Sequence, residues 1–316
     1  MKKVLLATTA LTLSAGIAAA DGHTGVKVSG FAEMGIADNG TDDVQFFQDI
    51  DVTFSMSGET DNGLSFGAAV DLDEAQDSCD VDSATGGDDG AGGSCVNDAL
   101  DDTTEDGGVA IFISGDFGTL TMGDTDGALD WAMTEVASLG SIADDHTAHA
   151  GYSGNAHLDG STDGQIVRYD NTVGDFSFAV SLEQDVPGTG EGDTFGIGAK
   201  GSFGDISVGL GYQENDVDDR TGISVGAGLG DIDVVVNYST GENAGVDFDH
   251  TDLGLTYSSG ALGLHVNYDQ FDRGGVDSDG VGLAVNYGLG GGAEVQFGYG
   301  DGEGTTTWSL GVAMSF

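Results

Sequence analysis

Thr307-Trp308-Ser309-Leu310-Gly311-Val312-Ala313-Met314-Ser315-Phe316 decides the fold. Trp308, Leu310, Val312, Met314 and Phe316 alternate with Thr307, Ser309, Gly311, Ala313 and Ser315. A strand throws successive side chains to opposite faces, so this segment has one apolar face and one small or polar face. The pattern recurs about sixteen times with almost no helical periodicity between, which is how a transmembrane β-barrel is written. The fold class read from the chain is all-β: a 16-stranded antiparallel transmembrane β-barrel.

The connections support this count. Abrupt turns centre on Asp61-Asn62-Gly63, Gly115-Asp116-Phe117, Gly174-Asp175, Phe203-Gly204-Asp205, Gly230-Asp231, Ser259-Gly260-Ala261 and Gly290-Gly291-Gly292. Gly, Asn and Asp supply the backbone conformations that tight hairpins need. Longer acidic connections alternate with them near 38–43, 76–106, 124–163, 186–191, 215–220, 241–247, 272–276 and 301–304. Seven turns and eight loops join sixteen strands, with both ends on the short-turn side. About ten residues at about 3.3 Å each, tilted by about 40°, climb about 25 Å, the height of the apolar band. Tyr212, Tyr238, Tyr268 and Tyr299 fall at the outer ends of four rising strands, and Phe178, Tyr257, Tyr287, Trp308 and Phe316 take outward positions on others, as two interfacial girdles require. A soluble acidic β-solenoid would instead repeat one short motif, and an adhesin sandwich would not alternate long and short loops so strictly.

Residues 1–20 read as a signal peptide: Lys2 and Lys3, an apolar run from Val4 to Ala19, and a small-residue cleavage site at Ala18-Ala19-Ala20. Residues 21–316 then form a single barrel domain starting at Asp21. The alternative is an N-terminal anchor, which the Thr, Ser and Ala content disfavours. No other segment approaches the ~20 apolar residues of a membrane helix. Export with a barrel pattern places the protein in the bacterial outer membrane, beside lipid and lipopolysaccharide.

The formal charge is −48, and loss of residues 1–20, whose charged groups are Lys2 and Lys3, takes it to −50. Lys27, Arg168, Lys200, Arg220 and Arg273 face 55 acidic groups. Nucleic acid is excluded as a partner, because phosphate binding rests on Lys and Arg. A saline habitat accounts for such a surface, the Debye length being ~3 Å at 1 M salt. A channel through it would nonetheless favour cations.

Cys79 and Cys95 lie in one acidic, Gly-rich stretch, where export favours a disulfide closing the loop; two isolated cysteines without a nearby His make a poor zinc site. Asp77, Asp80, Asp82, Asp88 and Asp89, with Asp101, Asp102 and Glu105, could hold Ca²⁺ loosely, although no EF-hand spacing is present. The alternative is a solvated acidic loop. No other cofactor is read from the chain.

Phe112-Ile113-Ser114-Gly115-Asp116-Phe117-Gly118-Thr119-Leu120-Thr121-Met122-Gly123-Asp124 is the most specific stretch of a resemblance that covers nearly the whole chain. With Met56 to Ala68, Gly209-Leu210-Gly211-Tyr212, Tyr287 to Ala293 and the terminal Phe316, the sequence resembles the trimeric general diffusion porins of photosynthetic alphaproteobacteria. The resemblance implies a sixteen-stranded homotrimer with a long third loop folded into the pore, which it narrows. It also implies that Phe316 belongs to the signal read by the barrel assembly machinery.

The third loop, about 124–163, is too long for an ordinary hairpin connection. It carries Asp124, Asp126, Asp130, Glu135, Asp144, Asp145, Asp159 and Asp163, the candidate constriction carboxylates. In the family these face a basic wall cluster. Here strand parity points Arg168 and Lys200 inward, and no Arg cluster lies on strands two to five, so an acidic eyelet is expected in place of a transverse field.

His146-Thr147-Ala148-His149, near Asp144, Asp145 and His157, could ligate a transition metal or simply face water. Gly226-Ala227-Gly228-Leu229-Gly230 has no following helix and no Lys, so it is a barrel turn and not a nucleotide loop. No catalytic set is present: no Gly-x-Ser-x-Gly with a partnered His occurs. The expected function is passive diffusion of ions and small hydrophilic solutes with cation preference. Alternatives are a solute-specific channel, which an aromatic ladder along the lumen would mark and the assigned inward positions lack, and a calcium-dependent surface adhesin.

Overall fold

A computed structural model describes residues 24–40, 44–73, 109–142, 154–159, 165–185, 192–302 and 304–316. The strands are β1 (Thr24–Asp38), β2 (Gln45–Glu59), β3 (Ser65–Asp73), β4 (Ala110–Gly115), β5 (Gly118–Gly123), β6 (Ile166–Val173), β7 (Phe176–Glu183) and β8 (Thr194–Phe203). They continue as β9 (Ile206–Glu214), β10 (Asp219–Gly228), β11 (Ile232–Asn243), β12 (Val246–Ser259), β13 (Leu262–Arg273), β14 (Val276–Gly290), β15 (Ala293–Gly302) and β16 (Thr305–Ser315). Each pairs antiparallel with its sequence neighbours, and β1 closes on β16, so no sheet edge is left. A single short helix, α1 (Ala128–Ala132), lies among the described residues, between β5 and β6. No described helix is long and apolar enough to cross a membrane.

The closing pair uses only the C-terminal part of β1. Phe31 pairs with Ser315 and the ladder runs to Asp38 opposite Trp308, with Phe316 and Gly30 exchanging backbone hydrogen bonds of 2.8 and 3.3 Å. β16 reaches no further than Gly30, so Thr24 to Ser29 pair with β2 alone.

Two connections read as longer loops are tight hairpins. β11 runs to Asn243 and turns on Ala244-Gly245, at φ 52° and 76°, and β13 runs to Arg273 and turns on Gly274-Gly275, at φ 62° and 82°. Positive φ at both central residues matches the twist of the flanking strands, so acidic composition does not stop the pairing there. The 215–220 connection is also shorter: β10 starts at Asp219, which puts Arg220 in a strand.

The chain is apolar outside and polar inside. Leu210, Leu255, Val266 and Leu310 face outward and are exposed, whereas Gln213, Asn237, His265 and Asn267 face inward and are buried. In water this inverts the usual preference; in a bilayer, lipid covers the apolar face and the closed ladder satisfies the backbone. Above the apolar band, Tyr212 donates to Glu214 at 2.6 Å, Tyr238 donates to Asp249, and Trp308 Nε1 donates to Asp38 at 3.1 Å. Each aromatic thus keeps an apolar body towards the strands and a hydrogen-bonded polar tip, as interfacial aromatics do.

Candidate functional site

Residues 124–142 lie against the inner face of the barrel, and the sequence of that face explains why. Gly196, Gly198, Gly209 and Gly211 occupy successive inward positions on β8 and β9, where α1 packs. A Cβ on Gly198 would stand 1.9 Å from Ala128 O, one on Gly209 2.0 Å from Ala132 O, and one on Gly211 2.7 Å from Leu129 Cα. The track continues beyond the helix. Gly254 of β12 receives Val136, Gly263 of β13 receives Leu139, and Gly35 of β1 with Gly311 of β16 receives Ile142. Ala128, Leu129, Ala132, Met133, Val136 and Ile142 are all buried there, so the inner wall is partly a packed interface and not wholly a wet one.

Hydroxyl and amide side chains of the wall satisfy the loop backbone between these apolar contacts. Ala128 N donates to Ser181 Oγ at 2.8 Å, Thr134 N to Ser224 Oγ at 3.0 Å, and Asn237 Nδ2 to Thr134 O at 2.9 Å. A buried loop carries obligatory donors and acceptors, and these inward polar residues meet them.

Arg168 and Lys200 point inward as expected, but beneath the loop. Arg168 donates to the Asp126 carbonyl and stands 3.9 Å from its carboxylate and 3.6 Å from that of Asp170. Lys200 donates to the Trp131 carbonyl, with its Nζ 3.9 Å from the centre of that ring. Of the predicted constriction carboxylates, Asp126, Asp130, Glu135 and Asp159 come together. Asp159 accepts from Gly127 N at 2.6 Å and from Gln213, and Glu135 accepts from Asn155 at 3.3 Å. Asp124 is exposed at the loop's start.

Crowding of like charge off water changes these acids. Burial raises Asp126 despite the opposing Arg168 and Lys200. Burial, then Asp126, Glu135 and Asp159, raises Asp130. Burial pushes Asp159 up to about 7, against its hydrogen bonds from Gly127 and Gln213. His157 moves the other way, to about 4, through burial and then Arg220. Two of the acids expected to define an ionised eyelet thus hold their protons to unusually high pH.

The opposite wall is acidic. By register, Glu33 of β1, Asp49 and Asp51 of β2, and Asp71 and Asp73 of β3 share the inward face: Glu33 pairs with Asp49, Asp51 with Asp73, and Thr53 with Asp71, to whose carboxylate it donates at 3.1 Å. No Lys or Arg occurs on β2 to β5.

Asp144, Asp145, Asp163, His146 and His149 lie outside the described residues, as do Cys79, Cys95 and the second-loop acids Asp77, Asp80, Asp82, Asp88 and Asp89. Sequence reading missed Arg220, which β10 turns inward onto Ser239 Oγ at 2.7 Å. It also missed inward aromatics: Phe248 and Phe271 lie on the inner face, with ring centres 5.8 Å apart, and the His157 ring of the loop lies tilted against Phe248 at 5.5 Å. Their parity with His250 and Asp269 would have revealed them.

A family model described as Gram-negative porin matches residues 7–307. A porin of Rhodobacter capsulatus is 34% identical over 200 residues, 61% of this chain, and the match spans 58% of that relative's length. Among solved structures, a refined porin superposes with a TM-score of 0.70 at 27% identity, covering 92% of this chain and 100% of that one. A porin of Rh. blastica superposes with a TM-score of 0.62 at 19% identity over the same shares, which is a likeness of fold alone.

Proposed function

Because the chain belongs to the Gram-negative porin family, we propose that it forms a water-filled, cation-preferring channel for passive diffusion of ions and small hydrophilic solutes across the outer membrane. No chemical step is involved. The third loop narrows the lumen by packing along the inner wall from β7 round to Gly311 of β16 and Gly35 of β1, and conduction runs between it and the acidic face of β2 and β3. Its working form is a homotrimer seated among outer-membrane lipid and lipopolysaccharide, delivered by the barrel assembly machinery with Phe316 as part of the signal. Cys79 and Cys95 close the second loop by a disulfide, and its acids hold Ca²⁺ loosely.

The observation that carries the cation preference is the placement of charge. Arg168 and Lys200 are tied beneath the loop to Asp126, Asp170 and Trp131, while Glu33, Asp49, Asp51, Asp71 and Asp73 line the facing wall. Fixed carboxylates along a low-dielectric lumen concentrate cations and repel anions.

Purified protein in a planar bilayer under a KCl gradient tests this. The reversal potential should have the sign of K⁺ preference. Replacing Asp49, Asp51 and Asp71 by Asn should lower the cation-to-anion ratio severalfold at about 0.1 M salt, where the Debye length is about 10 Å, and hardly at 1 M, where it is about 3 Å. Anion preference in the wild type would sink the reading. A folded protein that never conducts would favour the adhesin reading instead.

A further inference from the structure

His250, Asp252 and Asp269 form an inward cluster to which conduction gives no role. β12 sets His250 and Asp252 two residues apart on one face, and the ladder places Asp269 of β13 directly opposite Asp252. Carboxylates directly opposite on neighbouring strands repel. Asp252 is 1% exposed, so water does little to screen the pair. A proton or a positive charge between them relieves that repulsion.

A single nitrogen, His250 Nε2, faces both carboxylates. His250 Nε2 is aligned with Asp269 Oδ2 at 3.3 Å, whereas Asp252 Oδ1 stands 2.9 Å from the same nitrogen and has no hydrogen-bond partner. A close nitrogen–oxygen approach off the hydrogen-bond line is what neighbouring ligands of one ion show. Bonds of about 2.0 to 2.2 Å at angles between octahedral and tetrahedral give ligand-to-ligand edges of about 2.8 to 3.6 Å. The observed 2.9 and 3.3 Å fall within that range, and the three ligand atoms lie within 4.8 Å of one another.

We propose that His250 Nε2 and one oxygen each of Asp252 and Asp269 bind a divalent first-row transition metal ion on the inner wall, water completing its coordination. Imidazole selects Zn²⁺, Ni²⁺ or Cu²⁺ over Ca²⁺ and Mg²⁺, which prefer oxygen alone. Two carboxylates and a neutral imidazole match the charge of the ion. Asp269, with its side chain 16% exposed against 2% for His250 and 1% for Asp252, is the route in from the lumen. Phe271, edge-on to the His250 ring at 5.4 Å and 88°, fixes its orientation.

Arg220 opposes the ion. Its Nη2 stands 3.3 Å from His250 Nδ1, and a metal on Nε2 leaves the ring proton on Nδ1, facing a donor. Ser239 Oγ, at 2.7 Å, holds the guanidinium as the ion binds. Arg220→Gln, which replaces the cation by a side chain able to accept from Nδ1, therefore strengthens the site.

The test is calorimetric titration of the refolded full chain with Zn²⁺, in millimolar Mg²⁺ to occupy oxygen-only sites. Folding of each variant is checked by heat-modifiable migration. One zinc site is expected to vanish in His250→Ala, weaken about tenfold or more in Asp269→Asn, and tighten in Arg220→Gln. Should His250→Ala fail to fold, Asp269→Asn, which keeps the side-chain shape, decides. Zinc bound with wild-type stoichiometry and affinity in the folded variants, as loop ligation by His146, His149 and His157 would give, overturns the proposal.

Discussion

Gly209→Val should undock the third loop while leaving the barrel intact. Gly209 has ordinary extended backbone, so a β-branched residue suits its strand, and the obstacle is steric alone. Its Cβ would lie 2.0 Å from Ala132 O, and an ordinary carbon–oxygen approach is about 3.3 Å, so α1 must retreat by more than about 1.3 Å. The loop is held there by Leu129 and Met133, 0% and 2% exposed, and by the bonds to Ser181 and Ser224. Two such side chains contribute about 1.5 to 3 kcal/mol each and the two hydrogen bonds about 1 each, so docking amounts to roughly 5 to 8 kcal/mol. Losing about half of this, roughly 3 kcal/mol, raises the open population about 100-fold.

Limited proteolysis of the folded barrel in detergent, with a chymotrypsin-like protease cutting at Leu129, Trp131 or Met133, reads that population when closing outpaces cleavage. The cleavage rate should rise about 100-fold in Gly209→Val. Gly288→Val is the control, because a Cβ there meets Ala261 O at an unstrained 3.8 Å. Wild-type protease resistance in a folded Gly209→Val barrel would refute the glycine track as the loop's seat.

Asp130 and Asp159 have folded-state acidities raised above the ordinary carboxylate value, Asp159 to about 7. A raised acid stabilises the docked loop fully below about pH 4 and loses that contribution as pH climbs through about 7. Loop cleavage, normalised to a free peptide, should therefore be slower at pH 5 than at pH 8.5, and Asp159→Asn should flatten the difference; faster cleavage at pH 5 would contradict the assignment. The same protonation should weaken cation preference on acidification from about pH 7, well before ordinary carboxylates titrate. Deleting Phe316, whose side chain is 79% exposed and whose backbone pairs with Gly30, should reduce the amount assembled in the outer membrane severalfold while the conductance of refolded channels stays at wild type; undiminished assembly would remove it from the signal.

The barrel was legible because period and turn chemistry are local. Trp308 to Phe316 declare an apolar face in one strand, and Gly204, Gly230 and Gly260, all at positive φ, punctuate the short side. The register was less so. Val26 is as apolar as Ile36, so composition could not tell which half of β1 meets β16; the position of Phe316 opposite Gly30 decides it. Likewise Asp247 and Asp272 read as loop residues because isolated acids disfavour strands, yet the two-residue turns at Ala244-Gly245 and Gly274-Gly275 carry pairing past them.

The inner wall was hardest to read, because an inward glycine has two meanings that sequence does not separate. Gly211 could leave room for water or for another backbone, and Leu129 on top of it selects the second. Once the loop is known to need a glycine track, the charges follow. Inward Arg168 and Lys200 beside that track are drawn beneath the loop to its carbonyls, and Arg220, further along β10, finds Ser239 and His250. None of the three is then poised opposite β1 to β3, whose carboxylates have no facing cations on β2 to β5. Arg168 and Lys200 thus fasten the constriction, and under the proposed reading selectivity falls to the acids that remain on the far wall.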